Sequence, residues 1–232
     1  MQASANAVAV RSRQSSATDL CIVLVFFLVC YTTESALDPL LRRGGGLQGV
    51  LALAAYQFMF EGFAPLFVLR IRRERFADYG FTRHNLGKSV ALALILAVVN
   101  DLVVSWNAGA LLWVPLRRQA ATRMSLAVGV PWSLLGLAAT VAVWGFFEAF
   151  FGVFFAKKLN QALEREGRGW WSLGAAGFAL FNGLIHLTVH QGISGFLASF
   201  ASGYAIAVIP GLTGNAWGSA LFQTVTNAVG GI

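Results

Sequence analysis

Two of the three histidines in this chain, His186 and His190, lie four residues apart in the apolar stretch FNGLIHLTVHQG, residues 181–192. Residues i and i+4 share one face of a helix. Two imidazoles on such a face can bind a metal, or can share a water with a carboxylate. The HxxxH spacing lacks the glutamate of HExxH, so by itself it is a weak zinc signal. If a divalent metal such as zinc is held, His186, His190 and Glu148 are the candidate ligands. His190 adjoins Gln191-Gly192 and reads more simply as a histidine at the bilayer interface, whereas His186 lies deeper in the apolar run.

Three carboxyls, Glu61, Asp101 and Glu148, also fall inside apolar runs. An ionisable group at the centre of a membrane helix costs roughly 2.5–3.5 kcal/mol on insertion scales, so it faces the bundle interior and often marks a functional path. Each has a simpler role open to it. Glu61 can hydrogen-bond within the bundle beside Gly62, Asp101 can sit near a watery end after Asn100, and Glu148 precedes Lys157 by nine residues. Taken together, five ionisable groups in four apolar runs predict a polar interior cavity.

The elements that position these groups are membrane helices. Of the 232 residues, 57% are hydrophobic and 12% charged, and the mean hydropathy is +0.66. Such a composition lies outside the soluble globular range. A span needs roughly 20 apolar residues, and the apolar runs are continuous rather than alternating, which argues against a β-barrel. The predicted fold is all-α, a polytopic transmembrane bundle of about seven helices at 20–36, 47–71, 90–113, 131–155, 170–190, 193–209 and 216–229. Pro39 and Pro210 are expected to stop the first and sixth spans. Residues 1–17 read as a polar N-terminal tail, and residues 18–232 as one transmembrane domain. The first apolar run is not followed by a small-residue cleavage site, so it reads as a retained helix. Cys21 and Cys30 are nine residues apart, about 13 Å along a helix, which is too far for a disulfide.

The net charge of +7 comes from Lys and Arg crowded at the ends of apolar runs. No aromatic-basic stripe accompanies them, so nucleic acid is not an expected partner. Alternate sides of the seven-span topology carry twelve and five of these cations. The positive-inside rule then places the N-terminus in the cytoplasm, and the expected location is the cell membrane, as in the bacterial inner membrane. Gly192-Ile193-Ser194-Gly195 matches the GxSG of rhomboid intramembrane proteases. No histidine follows Ser194, so the base such a protease needs is missing.

Several segments resemble the CPBP family, the CAAX-protease and bacteriocin-processing (Abi) intramembrane peptidases. FFEAFFGVFFAKKL around Glu148 is similar to the family's EExxxR motif. NGLIHL is similar to FxxxH, with His186 at the histidine and Asn182 at the phenylalanine position. FQTVTN is similar to HxxxN, with Gln223 at the histidine and Asn227 at the asparagine. The segments ASGYAIAVIPGLTGNAWGSAL and FADYGFTRHNLGKS fit the family's pattern, and the resemblance covers roughly residues 70–232. The departures are specific. If Glu148 is the first of the paired glutamates, Ala149 and Val153 replace the second glutamate and the arginine. If it is the second, Phe147 and Gly152 replace the first glutamate and the arginine.

The resemblance implies an intramembrane endopeptidase that cleaves a membrane-proximal peptide bond. Glu148 and His186 would activate a water, and Gln223 and Asn227 would donate hydrogen bonds to the oxyanion. His190 and Asn182 are accessory candidates. The glutamate mechanism requires no cofactor, although a divalent metal such as zinc remains an option. The implied partners are the lipid bilayer and a peptide or membrane-protein substrate. The lost residues keep open an inactive relative that binds a peptide or protein in an immunity or maturation role. A solute or proton carrier using Glu61, Asp101 and Glu148 is a third reading.

Overall fold

Long apolar runs lacking alternation satisfy their backbone polar groups within each segment, and so fold as helices. The structure, a computed structural model, describes residues 2–43, 46–107, 120–163, 165, 169–187 and 192–230. The helices are α1 (Gln2–Arg43), α2 (Gly46–Arg72), α3 (Leu86–Asn107), α4 (Ala120–Ala127), α5 (Trp132–Ala162), α6 (Leu173–His186), α7 (Gly192–Thr213) and α8 (Trp217–Gln223). A π-helical stretch, Thr224–Gly230, continues α8. No strand occurs among the described residues.

Among the described residues, five helices are long and apolar enough to cross a membrane: Gln14–Thr33 within α1, all of α2, Leu86–Val103 within α3, α5 and α7. Of the 170–190 span expected from sequence, α6 covers Leu173–His186, about 21 Å at 1.5 Å per residue, and residues 188–190 lie outside the described residues. The expected polar tail is continuous with α1, which begins at Gln2. Cys21 and Cys30 are free thiols.

Neither proline stops its helix. α1 runs through Pro39 to Arg43, and α7 contains Pro210. Proline lacks an N–H, which leaves the carbonyl four residues earlier without its helical donor. For Pro210 that carbonyl belongs to Ile206, and it accepts the Ser219 hydroxyl of α8 at 2.7 Å instead. The neighbouring helix thus restores the lost bond at a fully buried position.

α5 is the central helix. Half of its apolar window is buried, against 17% for that of α3. Its FFEAFFGVFF run presents two aromatic ladders at i, i+4 spacing. Phe150 and Phe154 pack on Phe76 and Tyr79 of a 3₁₀ turn (Phe76–Tyr79), with centroids 4.9 Å apart for Phe150–Phe76 and 5.5 Å for Phe154–Tyr79. Phe151 and Phe155 pack on Phe178 and Phe181 of α6, and Phe151 also stacks on Phe27 of α1 at 5.4 Å.

One end of the bundle is tied by buried charge. Lys158 is 2% exposed and bonds Asp19 of α1 at 2.9 Å and Glu74 at 2.8 Å. Arg72, ending α2, holds the other Asp19 oxygen at 2.7 Å. The Tyr79 hydroxyl donates to Glu74 at 2.5 Å. Burial, followed by this bond to Glu74, holds the Tyr79 phenol well above its ordinary pKa, so it remains a donor. By sequence, Lys158 lies among the cations that follow the apolar run ending at residue 155. The helix continues past it, and the two carboxylates allow its ammonium to stay buried.

The same end fixes the start of α8. Asn215 is fully buried. Its carboxamide donates to the carbonyls of Thr82 at 2.7 Å and His84 at 2.6 Å, and accepts the Trp217 N–H at 2.9 Å. The Ala216 N–H donates to the Gly80 carbonyl at 2.8 Å. Gly80 has φ +85°, and a Cβ there would lie 3.3 Å from the Ala216 nitrogen, so glycine serves both the backbone turn and the close approach.

Replacing Lys158 with methionine leaves Asp19 and Glu74 short of a buried partner. The expected cost is about 3 kcal/mol, or a drop in thermal midpoint in detergent of roughly 6–12 °C. An unchanged midpoint would show that the buried ion network does not hold this end together.

Candidate functional site

Glu148 lies near the middle of α5, immediately after a π-helical segment, Val141–Phe147. Its N–H bonds the carbonyl of Val143, the i−5 pattern of a π turn. Asn227 lies in the second π segment, Thr224–Gly230. Glu61 lies in a third, Phe58–Phe63 of α2. Isolated π turns inside α-helices often mark functional positions, because the extra residue shifts which side chains face inward. The three π segments are neighbours, that of α5 packing against each of the other two.

The Asn227 carboxamide donates to the Glu148 carboxylate at 2.7 Å. The Gln223 side chain also hydrogen-bonds Glu148. Glu148 is 9% exposed and Gln223 4%. The approach of the two helices depends on Gly145, where a Cβ would lie 2.3 Å from the Thr224 hydroxyl oxygen and 3.3 Å from its Cα. Glycine at 145 therefore lets α8 approach closely enough for residues 223 and 227 to reach Glu148.

Glu61 is buried in the same layer. Its neighbour Gly62 is close to Phe147, which precedes Glu148, and a Cβ on Gly62 would lie 3.1 Å from that ring. Phe58 and Phe147 pack edge to face at 4.8 Å. Asp101 is half-buried near the end of α3. Ser194, the rhomboid-like serine, is exposed in the first turn of α7.

His186 ends α6 and is half-buried. Phe181 meets Phe151 at 6.0 Å, and α6 runs antiparallel to α5. Five residues beyond Phe181, about 7.5 Å along the axis, His186 reaches the depth of Glu148. Asn182 donates to the Ser199 carbonyl of α7 at 2.9 Å, and His186, four residues on, shares that flank. Ile185 faces the core, about 100° round the helix from His186. The structure therefore brings Glu148, Gln223 and Asn227 into hydrogen-bonding contact, and brings His186 to their depth on the side toward α7. Asn182 is a strut between α6 and α7. His190 lies outside the described residues. Among the described residues, no three His, Cys, Asp or Glu side chains gather as a metal site would require.

The chemistry open to this group follows from donor and acceptor counts. An ionised carboxylate offers about four lone-pair sites. Asn227 and Gln223 occupy two, which leaves capacity to orient a water. Each carboxamide has a second N–H, able to donate to negative charge developing on a reacting carbonyl. Comparison with protein-family models, curated proteins and solved structures gives no significant match. The family resemblance therefore rests on the motif residues alone.

Replacing Gly145 with alanine forces a methyl group into Thr224. The expected cost is about 1–3 kcal/mol from overpacking, with Glu148 and Asn227 moved apart. Thermal unfolding reads the first effect. Proximity of spectroscopic labels on α5 and α8 reads the second, and an unaltered distance would show that Gly145 does not set the approach.

Proposed function

We propose that this integral membrane protein is a CPBP-like intramembrane peptidase, with Glu148 as the base that activates water. The observation that carries the reading is the 2.7 Å bond from Asn227 to Glu148. It joins an acid and an amide 79 residues apart, in the order of the motifs the sequence resembles. Glu148 takes the proton of a water held on its free lone pairs. Asn227 and Gln223 turn their remaining N–H groups to the oxyanion. His186 lies at the right depth to carry a proton to the leaving amine once α6 and α7 adjust around substrate. The substrate is a membrane-proximal peptide bond, and no nucleic acid is involved. On this reading α6 and α8 complete a seven-helix bundle, and the end rich in Lys and Arg faces the cytoplasm of the cell.

One observation favours a second reading, a non-catalytic protein that binds a peptide or membrane partner. In the register that makes Glu148 the second acid of its motif, Gly152 takes the arginine position. A Cβ there would lie 2.5 Å from the Phe178 ring, so the packed core has no room for the cation.

Purified protein in liposomes, given tagged membrane-spanning peptides, distinguishes the two. The peptidase reading expects cleavage that Glu148→Gln lowers by at least about a hundredfold and Asn227→Ala by roughly 10²–10³. Equal cleavage by Glu148→Gln removes the proposed base. Peptide retention without cleavage by the wild type favours the binding protein. Orientation is read by labelling a Lys88→Cys variant in a background in which both native cysteines are serine. Reaction with an impermeant thiol reagent in inverted membrane vesicles, and not in intact cells, is expected, and the reverse pattern overturns the orientation.

A further inference from the structure

The basic end of the bundle holds a cavity of about 820 Å³ between the end of α5, the 3₁₀ turn, the start of α6 and the end of α7. It is separate from the Glu148 group, whose three residues do not line it. Its lining includes the apolar residues Val153, Ala207 and Val208 and the basic residues Lys157 and Arg165. Among the described lining residues, Asp78 is the one acid. Its carboxylate accepts the Arg75 N–H at 2.7 Å and lies 3.9 Å from the Arg75 guanidinium.

Lys157 is held in place. Its ammonium lies 4.4 Å from the centre of the Tyr79 ring and donates to the Asp78 carbonyl. An ammonium has three N–H donors, so two remain for a ligand. Asn160 and Gln161 line the cavity, but they hold structural bonds to Ser172 and Gly174, and to Ser16 respectively. The described lining residues carry a net positive formal charge, Lys157 and Arg165 against Asp78.

The surroundings place this cavity at a bilayer surface. Trp170 and Trp171 are 59% and 85% exposed and lie between the lining residues Gly169 and Ser172. Tryptophans of this kind form the aromatic belt at headgroup level. Basic and apolar lining residues at that depth match a molecule with an anionic head and an acyl tail.

We propose that this cavity binds an anionic phospholipid, its phosphate on Lys157 and Arg165 and an acyl chain against Val153, Ala207 and Val208. The lipid bridges α5, α6 and α7, the helices that carry Glu148 and His186 and the flank His186 faces. It acts as a structural ligand of the bundle and does not depend on peptidase activity.

Thermal unfolding of the full chain in uncharged detergent tests this. Short-chain dioctanoyl phosphatidylglycerol, at about a hundredfold excess over its Kd, is expected to raise the midpoint by roughly 5 °C or more. Dioctanoyl phosphatidylcholine and inorganic phosphate should leave it unchanged. The Lys157→Gln, Arg165→Gln double variant should lose the shift, while Lys88→Gln, at an exposed site outside the cavity, should keep it. Gly211→Leu is a second probe that keeps both cations. A Cβ at Gly211 meets only the Gly169 carbonyl, at 3.4 Å, so the leucine fills the cavity and should also abolish the shift. An equal shift with phosphatidylcholine overturns the headgroup assignment. An equal shift with inorganic phosphate gives the site to a free anion and overturns the lipid. A shift with an acidic peptide and none with phosphatidylglycerol gives the cavity to a peptide. A shift retained in both cavity variants places the lipid elsewhere.

Discussion

A polar group surrounded by apolar side chains and lipid must be satisfied by another part of the chain, because no water is there to do it. That constraint organises this bundle. The Ile206 carbonyl, deprived of its helical donor by Pro210, takes the Ser219 hydroxyl. The Lys158 ammonium takes two carboxylates from separate segments. Asn215 uses both ends of its carboxamide on backbone groups. Glu148 takes the carboxamides of α8 and its π-helical extension. Each of these buried polar groups thereby becomes a tie between separate elements, and each tie has direction as well as strength.

These ties give the candidate site its support. α5 is held at its C-terminal end through Lys158, and α8 at its N-terminal end through Asn215. Both holds lie at the same end of the bundle, joined through the segment from Glu74 to Asn85. From them the two helices run inward and meet where Gly145 faces Thr224. The π turns lie at that meeting point and set which residues face each other. The aromatic ladders of α5 fill the remaining space with large, shape-specific groups, so that small relative shifts of α5 are resisted on two faces.

The reach of the sequence differs from one residue to the next. Glu148 stands out in sequence because a carboxyl in an apolar run is costly wherever the run folds. Gln223 and Asn227 stand out through four-residue spacing and motif resemblance, and their contact with Glu148 then follows from helix packing. Lys158 reads as a span end in one dimension, because the partners that bury it, Asp19 and Glu74, are 139 and 84 residues away. Pro39 and Pro210 read as stops because local rules count only the donor a proline removes. The depth of His186 can be estimated from sequence, whereas the rotation of α6 cannot. That rotation is set by Asn182 on Ser199 and by Phe181 on Phe151.

By itself the sequence determined the solvent of this protein and the material of its fold. A chain so apolar has to be helical in a membrane, since only a helix satisfies each span's backbone from within, and its few internal acids have to face other protein. Tertiary structure decided which of those acids gained amides, which cation was buried, and which neighbour each side of α6 faced. Those outcomes rest on contacts across many tens of residues and on rotations of whole helices, and neither is encoded in any local stretch of chain.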